Sequence, residues 1–178
     1  MSGREFTKVS PALWASARFN ALADRGRLLF LYMLTNQHIN SSGVYRLPDA
    51  YAASDIGWNV DDYQAERAAL VAAKMLDYDN STSEVLIEGW YRHNGPMNDK
   101  HAIGTRKFIM AIDSDRLREL AEAAFEEADQ RRLADQEAKA IARQARHAAN
   151  DQEKTLASVV GPAAASRLAS TSYMRGKG

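Results

Sequence analysis

Few residues in this 178-residue chain have side chains suited to chemistry. The four histidines are His38, His93, His101 and His147, and no two sit at the three- or four-residue spacing that puts a pair of imidazoles on one helical face. Cysteine is absent, which removes thiolate metal sites, disulfide scaffolds and a cysteine nucleophile. His93 and His101 could meet in space, with Asp99 as the nearby carboxylate, but they read as polar histidines in a basic loop. Neither Gly-x-Ser-x-Gly, nor a Walker loop, nor Gly-x-Gly-x-x-Gly occurs. The acid pairs Asp61-Asp62 and Glu126-Glu127 fall on amphipathic helices, where a solvated face accounts for them. The expectation is a non-enzymatic protein with no catalytic residues, no metal and no cofactor.

What remains is phosphate chemistry, which needs lysine and arginine for the backbone and side-chain donors for base edges. The 23 basic and 23 acidic residues cancel, so any nucleic-acid patch must be local. Residues 1–58 carry six bases and four acids, 59–88 two and seven, 89–112 four and one, and 113–154 eight and eleven. Positive charge collects at Arg92, Lys100, Arg106 and Lys107, interleaved with Tyr91, His93, Asn94 and Asn98. Arg46 and the early Arg4, Lys8, Arg18, Arg25 and Arg27 form a second group, in which Arg25 and Arg27 also fit pairing with Asp24 or neighbouring carboxylates at a helix start. A solvated loop without function would look the same as the first group.

The elements that must position these residues can be read from periodicity and caps. Aromatic residues, apart from Phe125 and Tyr173, all precede residue 113, and the composition then turns to Ala, Glu, Arg and Gln. This division gives a globular domain over 1–112, a charged, Ala-rich helical arm over 113–154 and a flexible tail over 155–178. Ser10-Pro11 starts a short helix through Trp14 toward Phe19, and Asp24 starts a second in which Leu28, Leu31, Tyr32 and Leu34 recur. The turn Asn40 to Gly43 leads to a short strand, Val44 to Leu47, stopped by Pro48. A helix over Asp49 to Ile56 closes at Gly57, and the next starts at Asn59 to Asp62 and buries Tyr63, Leu70 and Ala73. Met75 to Asp79 and Glu84 to Trp90 form a hairpin about Asn80 to Ser83. Tyr91 to Asn98 reads as a loop, followed by a helix to Ile112 and a long helix from Ser114 with the stripe Leu117, Leu120, Ala121, Ala124, Phe125 and Ala128. The fold class is mainly α with a small β-hairpin (α+β), in the order of a winged helix-turn-helix.

In that arrangement the expected reading helix is poor in bases. Its outward face carries Asp61, Asp62, Gln64, Ala65, Ala68, Ala69 and Ala72, with Gln64 the sole evident base reader, and the hairpin turn is flanked by Asp77, Asp79, Glu84 and Glu88. Arg67 shares a face with Tyr63 and Leu70 and reads as a semi-buried structural arginine. The candidate DNA-binding set is therefore Arg46, Gln64, Arg92, Lys100, Arg106 and Lys107. Trp14, Trp58 and Trp90 read as core residues more than as stacking platforms.

Several strings together carry a resemblance: Pro11-Ala12-Leu13-Trp14, Leu28 to Thr35, Ser42 to Pro48, Asp55-Ile56-Gly57-Trp58, Leu76 to Asp79 and Trp90 to Asn94. Over about residues 6–112 the chain resembles phage and prophage replication initiation proteins of the replisome-organiser type, with a DnaD-like N-terminal winged helix. The resemblance implies binding of DNA and recruitment of a replicative helicase or its loader through the C-terminal region. The weak Ala stripe from Ala134 to Ala145 is the candidate for a homo-oligomer seam or a partner's groove.

Two other functions fit the same fold: a transcriptional regulator, and a protein-interaction module whose acidic helix and hairpin bind a helicase or host factor without touching DNA. The N-terminus has no apolar core of a secretory signal, and the longest apolar run, Leu28 to Leu34, is far short of the roughly 20 residues that span a bilayer. A cytoplasmic protein with no membrane partner is expected.

Overall fold

The computed structural model describes residues 7–160. The remainder of the expected tail, 161–178, and Arg4 lie outside the described residues. The chain is mainly helical with a small three-stranded antiparallel sheet, an α+β architecture. Among the described residues, those up to Arg132 form one compact unit and those from Leu133 a second.

The first unit opens with a 3-10 turn over Pro11–Ala15, capped by the Ser10 hydroxyl, and a short helix α1 (Ala17–Asn20) capped by Ser16. One helix was expected here. Ser16 divides it because its extended backbone lets its side chain accept from Phe19 N–H and restart the helix. Helix α2 (Asp24–Thr35) buries Leu29, Phe30 and Met33. It leads through the Asn40 turn to β1 (Val44–Arg46). Gly43 in that turn has φ +72°, and a Cβ there would stand 2.3 Å from the Trp90 ring, so glycine is required both by conformation and by space.

Helix α3 (Asp49–Ile56) ends at Gly57 in the left-handed conformation, and α4 (Val60–Ala72) is capped by Asn59, as the sequence spacing predicts. Strands β2 (Leu76–Asp79) and β3 (Glu84–Ile87) form the hairpin, and β1 adds to the far side of β3, with Val44 opposite Leu86. β3 is thus central and buried along its whole length. It stops before Trp90 because Gly89, at φ +69°, turns the chain into α5 (Tyr91–Asn94). A loop was expected over that segment.

Helices α6 (Asp99–Met110) and α7 (Asp115–Val160) complete the structure. The composition change at 112 is not the edge of the compact unit, which continues to Arg132. The first turns of α7 place Leu117, Ala121, Phe125 and Ala128 in the same core as Phe19, Leu29 and Tyr63, and Phe125 meets the edge of Tyr91 at 5.5 Å. At roughly 1.5–3 kcal/mol for each large buried side chain, Leu117 and Phe125 add several kcal/mol to the first unit. In the second unit, the helix from Leu133 to Gln152 is exposed on every face, including Leu133 and Ile141.

Of the three tryptophans, Trp90 is buried, Trp58 is half-buried under the Arg25 guanidinium, and Trp14 is 63% exposed. Trp14 was expected in the core. It rests edge-on against Phe19, which occupies the interior position itself.

Candidate nucleic-acid interface

Helix α4 is the expected reader, and its polar side chains are engaged by the protein. The Gln64 amide donates to Asp49 at 2.7 Å. The same carboxylate receives Arg67 at 3.2 Å and the Tyr78 hydroxyl at 3.1 Å. Arg67 is 9% exposed, so the only cation of α4 faces inward, as its spacing with Tyr63 and Leu70 predicts. Asp62 pairs with Arg25 at 2.9 Å, and Arg27 pairs with Asp24 at 3.6 Å. What α4 leaves exposed is Asp61 and Gln64 with Val60, Ala65, Ala68, Ala69, Val71 and Ala72.

The acids of the hairpin hold α7. Glu84 is buried, and its two carboxylate oxygens accept the backbone N–H groups of Ser114 and Asp113 at 2.8 and 3.1 Å. Asp79 accepts the Ser114 hydroxyl and the Ser81 side chain and N–H. These hydrogen bonds, Ser114 foremost, hold its carboxyl down at about 2. Arg116 binds Asp77 and the Tyr78 carbonyl. These acids, which the sequence offers as a repulsive wing or a docking face, are thus largely consumed in one structural joint.

The basic group Arg92, Lys100, Arg106 and Lys107 does not form one patch. Arg106 pairs with Glu126 and, at 3.3 Å, with Asp129, while its guanidinium lies 4.8 Å over the Phe125 ring. Arg132 joins Asp129 to Asp99 at 2.8 Å each, so α6 and the start of α7 are tied by an ion network. Lys100 and Lys107 stay exposed on α6 and make no ion pair among the described residues. Arg46 is exposed at the end of β1, opposite Glu84 in the register. His101 accepts the Met97 N–H on Nδ1. Among the described residues, no three His, Asp or Glu side chains gather as metal ligands.

Arg92 instead belongs with the early residues. A cavity of about 150 Å³ opens between the Ser10–Ser16 segment, α2 and the β3–α5 turn, and Lys8, Arg18, Arg92 and His93 line it. Glu88 is its one acidic lining residue, and Leu13, Phe30, Leu34 and Met75 form an apolar floor. Arg18 donates to the Lys74 carbonyl at 2.5 Å, which holds the guanidinium at the rim with other N–H groups left over. Lys8 and Arg92 are exposed and make no ion pair among the described residues. The sequence places Arg92 and Arg18 in separate groups, and no spacing rule joins segments so far apart. The tertiary packing of Leu13 and Phe19 against the core, with the Arg18–Lys74 hydrogen bond, brings the two arginines to one cavity.

No protein-family model, no curated protein and no solved structure matches the chain.

Proposed function

We propose that this chain is a nucleic-acid-binding protein of the phage replication-initiator kind that its sequence resembles, built on a winged-helix domain. It engages the phosphate backbone through Lys8, Arg18 and Arg92 and not through α4. The order α2, β1, α3, α4, β2, β3 supports the winged-helix reading. The observation that carries the binding surface is the convergence of Lys8, Arg18, Arg92 and His93 on one cavity, against an α4 whose outward side has no lysine or arginine. Cations placed together and left without carboxylate partners release counterions when they meet phosphates, which is the main source of non-specific affinity. Arg46, Lys100 and Lys107 are further exposed cations that can extend the path.

The test is binding of the full chain to random-sequence DNA, duplex and single strand, across a salt series. Affinity should fall steeply with salt, and Arg18→Glu with Arg92→Glu should weaken binding at least about tenfold and flatten the salt slope by about two. Salt-insensitive binding, or none at low salt, would sink the proposal.

A second reading has its own support: the exposed side of α4 carries one acid, Asp61, beside Gln64 and the apolar Val60, Ala65, Ala68, Ala69, Val71 and Ala72, a surface suited to another protein. Recruitment of a helicase or loader, or self-association, falls to this side of α4 or to the exposed helix beyond Leu133.

A further inference from the structure

The basic cavity has a feature that backbone binding does not use. Its floor is apolar: Leu13, Phe30, Leu34 and Met75 lie beneath a rim of Arg18, Arg92 and Lys8. A phosphate alone needs the rim and gains nothing from the floor. A ligand that uses both has an anionic group joined to a flat or compact apolar body. The volume, about 150 Å³, is that in which an engineered protein core holds a benzene ring. It therefore matches one six-membered ring in size.

We propose that the cavity seats a single nucleotide unit, its pyrimidine-sized base on the floor and its phosphate between Arg18 and Arg92. This rests on the nucleic-acid reading above and deepens it, because it assigns strandedness. In a duplex the bases are stacked and paired, so only phosphates reach the rim. In a single strand a base can turn out of the stack into the cavity, and burial of its ring adds to the ionic contact. Glu88 is the one carboxylate in the lining, against Lys8, Arg18 and Arg92, so cations outnumber it at the rim. His93 and Asn94, which also line the cavity, supply donors for the polar edge of the base. The chemistry is that of a nucleoside phosphate, whether one unit of a strand or a free nucleotide.

The experiment compares the full chain's affinity for a 5′-phosphorylated dT12 strand, for the dT12·dA12 duplex and for thymidine 5′-monophosphate, at one fixed salt concentration. The strand should bind at least about tenfold more tightly than the duplex, within the range that burial or stacking of one base supplies. Ala12→Trp, an exposed position on the cavity wall, should fill the space and bring the strand down to the duplex value while the duplex is unchanged. Melting curves check that this variant folds, with Ala12→Phe as the milder alternative. Monophosphate binding that competes with dT12 and is lost in Ala12→Trp supports the seat with a free nucleotide as its source. Strand preference without monophosphate binding supports it with the strand as source. Equal, salt-sensitive affinity for strand and duplex, unaltered by Ala12→Trp, overturns the seat and leaves the backbone reading standing. Failure of every probe to bind at low salt overturns both.

Discussion

The Arg67 guanidinium lies 3.5 Å from the centre of the Tyr78 ring, on the inner side of α4, while also reaching the Asp49 carboxylate. This stacking joins α4 to β2 and to the start of α3, and it withdraws from the surface the one cation that α4 possesses. The one cation of α4 is thereby spent on holding the helix to its neighbours.

Arg67→Ala should therefore act on stability. It removes the cation–π contact and leaves Asp49 without its charged partner in a mostly buried place, a loss of about 3 kcal/mol. Chemical denaturation should show the fall in the midpoint, while the nucleic-acid salt slope of the folded variant stays at its original value.

Ending the chain after Arg132 should leave the first unit folded, with its melting temperature within a few degrees of the full chain, since Leu133 to Gln152 bury nothing. Ending it after Ile112 removes Leu117 and Phe125 from the core and orphans Glu84. That version should fail to give a cooperative thermal transition, as losing either large side chain alone costs about 3–5 kcal/mol.

The contrast shows what was legible in the sequence. Helices α2, α3 and α4, the hairpin and the Gly57 cap are written locally, in caps and in 3.6- and 2-residue spacing, although β3 ends at Ile87, three residues short of the expected Trp90. The edge of the compact unit is not written locally, because composition changes at 113 while packing does not. The stripe Leu117 to Ala128 was visible, but nothing local says which surface receives it. The site was legible only in part. The inward role of Arg67 and the pairing of Arg27 with Asp24 followed from spacing, whereas Arg25 pairs with the distant Asp62. The engagement of Gln64 by Asp49 and of Arg106 by Asp129 depends on distant segments, as does the meeting of Arg18 with Arg92.

Gly43→Ala should destabilise by about 2–4 kcal/mol, combining a left-handed backbone with a Cβ driven into Trp90. A drop of roughly 10 °C in melting temperature is expected for a unit of this size. The Trp90 indole, whose N–H bonds the Ser41 carbonyl at 3.0 Å, should report the shift in near-ultraviolet circular dichroism.

Arg106→Gln and Arg92→Gln should separate. The first leaves Asp129, 6% exposed, with Arg132 as its remaining cation, lowering stability by about 1–2 kcal/mol with no direct effect on DNA affinity. The second leaves the melting temperature unchanged and weakens nucleic-acid binding. Thermal melts and anisotropy on the same samples distinguish them.

The joint between the hairpin and α7 should be acid-sensitive. The Asp79 carboxyl is held at about 2, below its ordinary 3.8, so its contribution is fully present above pH 4 and disappears as the pH falls through 2. Ser114→Ala removes the main hydrogen bond and should move the onset of acid unfolding to higher pH, followed by far-ultraviolet circular dichroism.

The placement of β1 has a kinetic meaning. β2 and β3 are joined by the turn Asn80 to Ser83, so their pairing closes a short loop, whereas Val44 meets Leu86 only after α3, α4 and the hairpin intervene. Chain entropy rises with the length of the loop closed, and distant pairings form late. This topology predicts that β1 joins the sheet last, after α3 and α4 bring Val44 to the edge of β3.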